Sequence, residues 1–206
     1  MPAAKVHRYL VSLIRVGMVV QDAASGRYDL GPAAVRFGLA SIERFDTVRY
    51  AASDLQRLRD EIGETVSLIV WAEGGPTVVR TENSRHDVAL TMRVGAVLPL
   101  ARSASGRLFL TYLPRERTAA AELGERSRKA FAADARRRGC ARTIGGVLPG
   151  VSGLAAPIFD EAEGIVAVVS AYGRSATFDA SWDGPLANAV RAFARQLSTI
   201  PRLRSN

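Results

Sequence analysis

Residues 153–173, GLAAPIFDEAEGIVAVVSAYG, carry the pattern that decides the fold of this chain. Two apolar runs, GLAAPIFD and IVAVVSAYG, are separated by the short polar segment EAEG. Short runs rich in β-branched and small apolar residues, bounded by a turn, are typical of strands. The segment therefore predicts two strands that pair across a turn.

Further strand signals lie upstream of this pair. TVSLIVWA (65–72) and TVVRTE (77–82) are β-rich runs, and the EGGP between them is a turn signal. VALTMRV (88–94) is a third strand candidate. Together with the pair at 153–173, these runs predict one mainly antiparallel sheet.

Helical patterns lie between and after these strands. A loop at the start of GAVLPLARSASGRLFLTYLP (95–114) enters a predicted helix at Ser103 to Gly106. RERTAAAEL (115–123), SRKAFAADARRRG (127–139) and DGPLANAVRAFARQLSTI (183–200) also predict helices. Strands that precede and follow a helical block predict an α+β domain with helices on the faces of the sheet.

The first thirty residues predict a helix and a small hairpin. MPAAKVHRYLVSLIRVGMVV (1–20) has an apolar and a basic stripe at helical spacing, and Gly17 ends the helix. Gly26 supplies the turn between the extended runs MVVQD (18–22) and RYDL (27–30). A basic helix and a basic hairpin tip suit the grooves and backbone of DNA. The alternative, an ordinary surface helix with a solvated charged face, stays open on these residues alone.

Two amphipathic helices are predicted between this module and the sheet. PAAVRFGLASIERF (32–45) has apolar residues at helical spacing. The second helix has Asp46 as a plausible N-cap, an apolar seam, and Gly63 as its end. We expect this linker to bury a dimer or interdomain face, to pack on the following sheet, or to do both.

Composition restricts the class of protein. The chain has 206 residues, enough for one solid core or for a domain with a small module, and a net charge of +8. The positive charge fits an anionic partner such as nucleic acid. The single cysteine excludes an internal disulfide framework. Because neither a membrane-length apolar stretch nor a signal-peptide pattern is found, we expect a cytoplasmic protein without membrane contact.

The sequence offers little support for an enzyme. The histidines His7 and His86 are far apart, and Cys140 is alone, so no metal site, cofactor or catalytic residue is predicted. Cys140 is interpreted as a strand residue rather than a nucleophile. GVSG (150–153) lacks the spacing of a nucleophile elbow, and no phosphate-loop or dinucleotide fingerprint is present.

Five stretches in order resemble the IclR-type transcriptional regulators, over nearly the whole chain. They are VHRYLVSLIRVGMV, GRYDLGPAAVRFG, LQRLRDEIGETVSLIV, VGAVLPLARSASGRLFLTYLP and GLAAPIFDEAEGIVAVVSAYG. The resemblance implies a partial winged helix-turn-helix in 1–30, linker helices in 31–63 and a GAF-like effector-binding domain in 64–206. It also implies ligand-controlled repression or activation, usually of catabolic genes, by a homodimer or a dimer of dimers that binds an operator in double-stranded DNA.

Members of this family carry a scaffold helix and the first helix of the helix-turn-helix before the segment that PAAKVHRYL (2–10) resembles. Met1 stands where the preceding turn is expected. Two interpretations follow: a misplaced start codon in a longer natural protein, which we favour, or a truncated regulator. In the second case the chain is an effector-binding protein that no longer binds DNA specifically.

The resemblance also implies which residues contact DNA. The groove-facing candidates are Ala3, Ala4, Lys5, His7 and Arg8, and the wing tip is Ser25, Gly26 and Arg27. His7 faces DNA or packs against the wing, and both interpretations stay open. Arg8 is the strongest candidate, because its guanidinium fork suits phosphate or guanine.

The effector pocket implied by the resemblance combines three segments. Its candidate residues are Arg102, Ser103, Ala104, Ser105, Gly106, Thr143, Gly153, Ser170 and Tyr172. The amides of the RSASGR turn form an anion site, with Arg102 and Arg107 as counter-charges, or they belong to a plain helix capped by Ser103.

Three of these positions depart from the pattern of many family members. An acidic residue is common at Thr143, Cys at Gly153, and a small hydroxyl residue at Tyr172. Gly153 should enlarge the cavity, and Tyr172 should add an aromatic wall. We therefore expect a small organic acid effector of the aromatic or medium-sized carboxylate class.

Overall fold

The computed structural model describes residues 2–43, 46–85, 92–118 and 123–199. The chain divides into two compact units, Met1–Phe45 and Asp46–Asn206. We call them the N-terminal unit and the C-terminal unit and describe each by itself.

The N-terminal unit contains two helices and a two-stranded hairpin. Its elements are α1 (Ala3–Arg15), β1 (Val19–Gln21), β2 (Tyr28–Leu30) and α2 (Pro32–Glu43). The predicted helix end and hairpin turn are confirmed, since Gly17 and Gly26 have φ angles of 71° and 68°. These angles lie in the left-handed region that glycine adopts without a steric penalty. The strands pair antiparallel, with Val20 opposite Asp29.

Much of the apolar surface of the N-terminal unit is exposed. Leu30 and Phe37 are about 70% exposed, at 72% and 69%. Val6, Leu13 and Ile14, which belong to the predicted apolar stripe of α1, are also exposed. Apolar surface of this kind often marks a place where another element or molecule packs.

The C-terminal unit is a five-stranded antiparallel sheet with helices on both faces. Its elements are α3 (Asp46–Ile62), β3 (Thr65–Ala72), β4 (Gly75–Glu82), α4 (Ala104–Tyr112), a 3-10 turn (Arg115–Thr118), α5 (Glu125–Arg138), β5 (Ala141–Ile144), β6 (Val151–Phe159), β7 (Ile165–Arg174) and α6 (Pro185–Ser198). The strand order is β4-β3-β7-β6-β5, and all neighbours are antiparallel. The prediction of an α+β fold with a mainly antiparallel sheet is confirmed.

The strand pair predicted from residues 153–173 forms β6 and β7, with β7 at the centre of the sheet. One face of these strands packs under α4, where Val168 and Ala155 join a buried cluster with Phe109. Because successive residues of a strand point to opposite faces, Val169 and Leu154 lie on the other face. There α3 and α6 pack on each other and on the sheet. The sheet is therefore buried on both sides.

Several predictions of local structure need correction or lie outside the described residues. Residues 88–91 of the third strand candidate are not described, and 92–94 form no strand. Of the predicted helix 115–123, Arg115–Thr118 is a 3-10 turn and 119–122 are not described. Cys140 lies immediately before β5 rather than within a strand. The predicted cap at Asp46 concerns a side chain outside those described.

The two predicted linker helices belong to different units. α2 packs against β1 in the N-terminal unit, whereas α3 packs against β3 and α6 in the C-terminal unit. The boundary between the compact units along the chain therefore falls within the segment 31–63, and the functional boundaries at residues 30 and 63 stay predictions. Across the described residues, no helix has the length and apolar content needed to cross a membrane.

Candidate effector site and candidate DNA surface

A small cavity lies between the start of α4 and the β5 side of the sheet. It is lined by seven of the nine predicted effector residues, namely Ser103, Ala104, Ser105, Thr143, Gly153, Ser170 and Tyr172. The sheet register explains part of this convergence, since Thr143 pairs with Gly153, which in turn pairs with Tyr172. Three residues that are distant in sequence thus form one row across three strands.

The start of α4 is a capped helix. The Ser103 hydroxyl accepts a hydrogen bond from the Gly106 amide at 2.9 Å and donates one to the Pro99 carbonyl at 2.8 Å. Within the described structure, no hydrogen-bond partner is found for the amides of Ala104 and Ser105. Ser103 therefore caps α4, and two first-turn amides beside the cavity remain without a partner in the described structure.

Two predicted effector residues do not line the cavity. Arg102 is exposed, and its Nε donates to the Gly146 carbonyl at 2.8 Å. Gly106 has its amide occupied by the cap, and a Cβ there would overlap the backbone of Leu100. Gly106 thus permits the close approach of the preceding loop to α4. The predicted counter-charge is absent from the lining, which contains no charged side chain among the described residues.

Arg107, the other proposed counter-charge, also lies elsewhere. Its Nε and Nη1 donate to the carbonyls of Ala101 and Arg142, at 3.0 and 2.8 Å. Burial lowers the pKa of this guanidinium, and the charge of Asp134 opposes that shift. Arg107 lines a separate groove on the outer side of β5.

Tyr172 belongs to a closed ring of hydrogen bonds. Its hydroxyl accepts from the Met92 amide at 3.2 Å and lies 3.0 Å from the Ser67 hydroxyl. Ser67 lies 2.9 Å from the Thr81 hydroxyl, which donates to the Met92 carbonyl at 3.1 Å. If Tyr172 donates to Ser67 and Ser67 donates to Thr81, each hydroxyl donates once and accepts once. Burial raises the pKa of Tyr172, and its hydrogen bond with Ser67 opposes this shift.

The cavity is smaller than the sequence suggested. Its volume is about 20 Å³, which accommodates about one water molecule. A Cβ on Gly153 would lie 3.5 Å from Cβ of Tyr172 and 3.7 Å from Oγ1 of Thr143. The large cavity expected from Gly153 is therefore not found, although a Cβ at this position would meet its neighbours only at 3.3 Å or more.

The lining is polar at its centre. Within the described residues, the hydroxyls of Ser105 and Thr143 make no hydrogen bond. The Ser170 hydroxyl donates to the Leu154 carbonyl at 3.1 Å. Met92 and Ser67 were not predicted from the sequence, although a serine inside the apolar run 65–72 is a recognisable signal of a buried polar contact.

The predicted DNA-contacting residues lie on α1 and the hairpin of the N-terminal unit. Lys5, His7 and Arg8 are exposed on α1, whereas the side chains of Ala3 and Ala4 are not described. Of the wing-tip residues, Ser25, Gly26 and Arg27 are all exposed.

The hairpin turn is organised by a carboxylate. Asp22 accepts hydrogen bonds from the hydroxyl and the amide of Ser25, both at 2.6 Å. Both bonds lower the pKa of Asp22, and the bond from the Ser25 hydroxyl has the larger effect. The Asp22 amide donates to the Arg27 carbonyl at 2.8 Å, which closes the turn and leaves the Arg27 side chain exposed.

The remaining candidate for chemistry is Cys140, which is buried. Burial raises the pKa of this thiol, and the nearby Arg191, whose Nη1 lies 3.4 Å from the sulfur, opposes the shift. Among the described residues, no group of three or more His, Cys, Asp or Glu side chains is arranged to hold a metal ion.

Comparison with known proteins decides the family. Residues 39–199 match the family model described as "Bacterial transcriptional regulator IclR C-terminal". The chain belongs to the IclR family. Because this match covers most of the chain and includes all of the C-terminal unit's strands, the sheet and its cavity are those of an IclR C-terminal domain.

Relatives support this assignment at several levels of similarity. The HTH-type transcriptional regulator KipR of Bacillus subtilis is 34% identical over 56% of this chain and 46% of its own. The glycerol operon regulatory protein of Streptomyces coelicolor is 30% identical over 75% of this chain and 65% of its own. This chain thus spans about half to two thirds of the length of these relatives.

Solved structures match over almost the full length. The crystal structure of Pseudomonas aeruginosa HmgR has 38% identity and a TM-score of 0.71, and the match covers 96% of this chain and 84% of HmgR. An IclR transcriptional regulator from Alicyclobacillus acidocaldarius has a TM-score of 0.79 at 22% identity, covering 96% and 85%. The second match supports the fold alone.

Proposed function

We propose that this IclR-family chain is a ligand-responsive transcriptional regulator of a catabolic operon. In this proposal the N-terminal unit binds an operator in double-stranded DNA, and the C-terminal cavity binds a small organic acid. The chain acts as a homodimer or dimer of dimers and catalyses no reaction. The observation that carries the proposal is the convergence of seven candidate effector residues on one cavity in an IclR C-terminal domain.

The chemistry of the cavity favours an organic acid. The free amides of Ala104 and Ser105 lie at the positive end of the α4 dipole. The hydroxyls of Ser105 and Thr143 supply further donors. Because the described lining carries no charged side chain, an anion bound here is held by amides and hydroxyls rather than by an ion pair.

The small volume of the cavity suggests a mechanism of response. A volume of about 20 Å³ does not admit a carboxylate with an organic body, and in this proposal Tyr172 moves when the effector enters. That movement opens the ring of hydrogen bonds to Ser67 and Met92. Effector binding is thereby coupled to β3 and to the segment that begins at Met92.

A ligand screen on the 206-residue chain tests the effector proposal. Pyruvate, benzoate and phenylacetate are compared by thermal shift; a ligand that binds only the folded state adds about 2.7 kcal/mol at a hundredfold excess over Kd. For an acid that shifts the melting temperature, Ser105→Ala should reduce the binding free energy by about 1 kcal/mol, because one neutral hydrogen bond is lost.

Thr111→Ala is the matched control, since this α4 hydroxyl donates to the Arg107 carbonyl at 2.7 Å and does not line the cavity. Equal loss of ligand affinity in both variants, or the absence of a shift with every acid tested, contradicts the effector assignment.

The DNA proposal is tested separately on specific and random duplexes. Arg8→Ala should weaken binding to the specific duplex by about 1–3 kcal/mol if the side chain contacts a base. Arg27→Ala should weaken both duplexes alike and reduce the salt dependence of binding, as expected for a phosphate contact. Arg36→Ala, an exposed arginine on α2, is the control.

The second candidate function is an effector-binding protein without specific DNA binding. The exposed apolar residues of the N-terminal unit, among them Leu30 and Phe37, favour this candidate, because a DNA-reading helix needs a packed support. Equal affinity of the 206-residue chain for specific and random duplexes, together with a positive ligand screen, supports this second function and contradicts the first.

A further inference from the structure

A second and larger concavity lies on the outer side of β5, between α4, α5 and the segment before α6. We call it the outer groove and define it by Arg107, Phe131, Asp134, Arg142, Ile144 and Trp182, which line it together with small residues of α5 and β5. Its volume is about 370 Å³, compared with about 20 Å³ for the cavity at Tyr172. This volume is within the range of about 300–1,000 Å³ that small-molecule sites occupy.

Two arginines of the outer groove are held in place by aromatic rings. The Arg107 guanidinium carbon lies 4.4 Å from the centroid of Phe131, and that of Arg142 lies 4.4 Å from the centroid of Trp182. Arg138 lies over Trp182 as well, at 4.6 Å. Such stacking orders a guanidinium before any ligand binds and so lowers the entropic cost of binding.

The hydrogen bonds of these arginines leave donors unused. Arg107 uses Nε and Nη1 for the carbonyls of Ala101 and Arg142. Arg142 uses Nη1 for the Ala180 carbonyl at 3.0 Å. In the part of the chain that the structure describes, Nη2 of Arg107 and both Nε and Nη2 of Arg142 remain for a ligand. Guanidinium forks of this kind match a carboxylate.

The charge of the outer groove also favours an anion. Asp134 is the acidic residue among the lining side chains; its charge acts on Arg107, and it is also paired with two arginines outside the lining. Its Oδ1 lies 2.9 Å from Nη2 of Arg137 and 3.9 Å from Nε of Arg138. The charges of Arg107 and Arg142 therefore dominate the groove.

We propose that the outer groove is a second ligand site that binds a small aromatic carboxylate. It is separate from the cavity at Tyr172, which we call the inner cavity. The carboxylate pairs with the guanidinium groups of Arg107 and Arg142. Its ring lies among the apolar side chains of the groove, including Ala130 and Ile144. The site does not rest on the proposed regulatory function, because none of its donors lines the inner cavity.

Thr143 lines both the outer groove and the inner cavity. β5, an edge strand of the sheet, therefore forms the wall between the two sites. A ligand in the outer groove contacts the strand whose other side faces Ser105 and Tyr172. The outer site is thus placed to influence the inner one through this strand.

Fluorescence of Trp182 provides a local test on the full chain. The chain has two tryptophans, so Trp71→Phe isolates the emission of Trp182. Benzoate is titrated against this protein, with benzamide as the uncharged analogue. We expect a saturable change with benzoate and affinity lower by about tenfold or more for benzamide, because the charge-assisted hydrogen bonds are lost.

Two surface substitutions block the site, and a third is their matched control. Ala130→Glu on α5 and Ile144→Asp on β5 place negative charges in the groove at exposed positions. Each should lower benzoate affinity by about tenfold or more. Ala133→Glu adds the same charge at an exposed position of α5 outside the groove and should change the affinity by less than about twofold.

The outcomes separate this proposal from the proposed function. An absent Trp182 response to benzoate, or equal losses in Ala130→Glu and Ala133→Glu, overturns the second site. A response that disappears in Ser105→Ala and persists in Ala130→Glu also overturns it, since benzoate then binds the inner cavity. A groove response with no Ser105-dependent thermal shift supports the second site and counts against the proposed effector cavity.

Discussion

Replacement of Tyr172 by phenylalanine removes a buried hydroxyl and keeps the ring that lines the inner cavity. In the wild-type protein this hydroxyl accepts from the Met92 amide at 3.2 Å and lies 3.0 Å from the Ser67 hydroxyl. The substitution therefore opens the ring of hydrogen bonds without creating a large void. We expect a measurable loss of stability and an inner cavity that opens more readily.

The size of the loss follows from the partners that remain. Ser67 keeps the Thr81 hydroxyl at 2.9 Å, so its polar group stays satisfied. The Met92 amide loses its hydrogen bond in a partly buried position. Leaving one such group unpaired costs about 1–3 kcal/mol, and partial access to water places Tyr172→Phe at about 1–2 kcal/mol. For a chain of this size, that corresponds to a fall in Tm of about 2–8 °C.

Urea unfolding and thermal denaturation of the 206-residue chain measure this loss. Tyr112→Phe is the matched control: the Tyr112 ring packs edge-on against Phe159 at 5.0 Å, and within the described residues its hydroxyl makes no hydrogen bond. The control should lose less than about 0.5 kcal/mol. Equal losses in the two variants would show that the ring of hydrogen bonds contributes nothing specific, and the proposed coupling between Tyr172 and Met92 would be wrong.

Three further predictions concern pH, packing and reactivity. Burial raises the pKa of Tyr172 above its usual 10.0, so above pH 10 the folded state retains a proton that the unfolded state loses. The stability of the wild-type protein should therefore fall as the pH rises above about 10. The urea midpoint of Tyr172→Phe should fall less than that of the wild type over the same pH range. Gly106→Ala should cost about 1–3 kcal/mol in urea unfolding because its Cβ would overlap the backbone of Leu100, whereas Gly38→Ala, with open space around it on α2, should cost nothing. Cys140 is buried and has a raised pKa, so a thiol reagent should react with it slowly until urea unfolds the chain; rapid reaction of the native protein would contradict its burial.

Local pattern was sufficient for most elements of the fold. The apolar runs at 65–72 and 153–173 became β3, β6 and β7, because a strand buried on both faces has a continuous apolar sequence. Glycines at positions 17 and 63 end helices with positive φ, as their place after a helical pattern predicts. The segment 115–123 was less predictable, since its alanine-rich composition favours a helix whereas Arg115–Thr118 forms a 3-10 turn.

The candidate effector site was predictable only in part. The family resemblance selected Ser105, Thr143 and Tyr172, and the strand register brings residues of β5, β6 and β7 into one lining. The family resemblance could not reveal that the Tyr172 hydroxyl reaches Ser67 and Met92, which are 105 and 80 residues away in sequence. Such contacts depend on how β3 and the segment at Met92 are placed beside β7.

The sequence by itself determined most of the strands and helices and the positive charge, because each depends on neighbouring residues or on composition. Only the tertiary structure decided where the arginine side chains near the cavity lie. Arg102 and Arg107 both flank the start of α4, yet one is exposed beside Gly146 and the other is stacked on Phe131 in the outer groove. Their directions depend on the packing of α4 against α5 and β5, and this packing places guanidinium donors outside the inner cavity rather than within it.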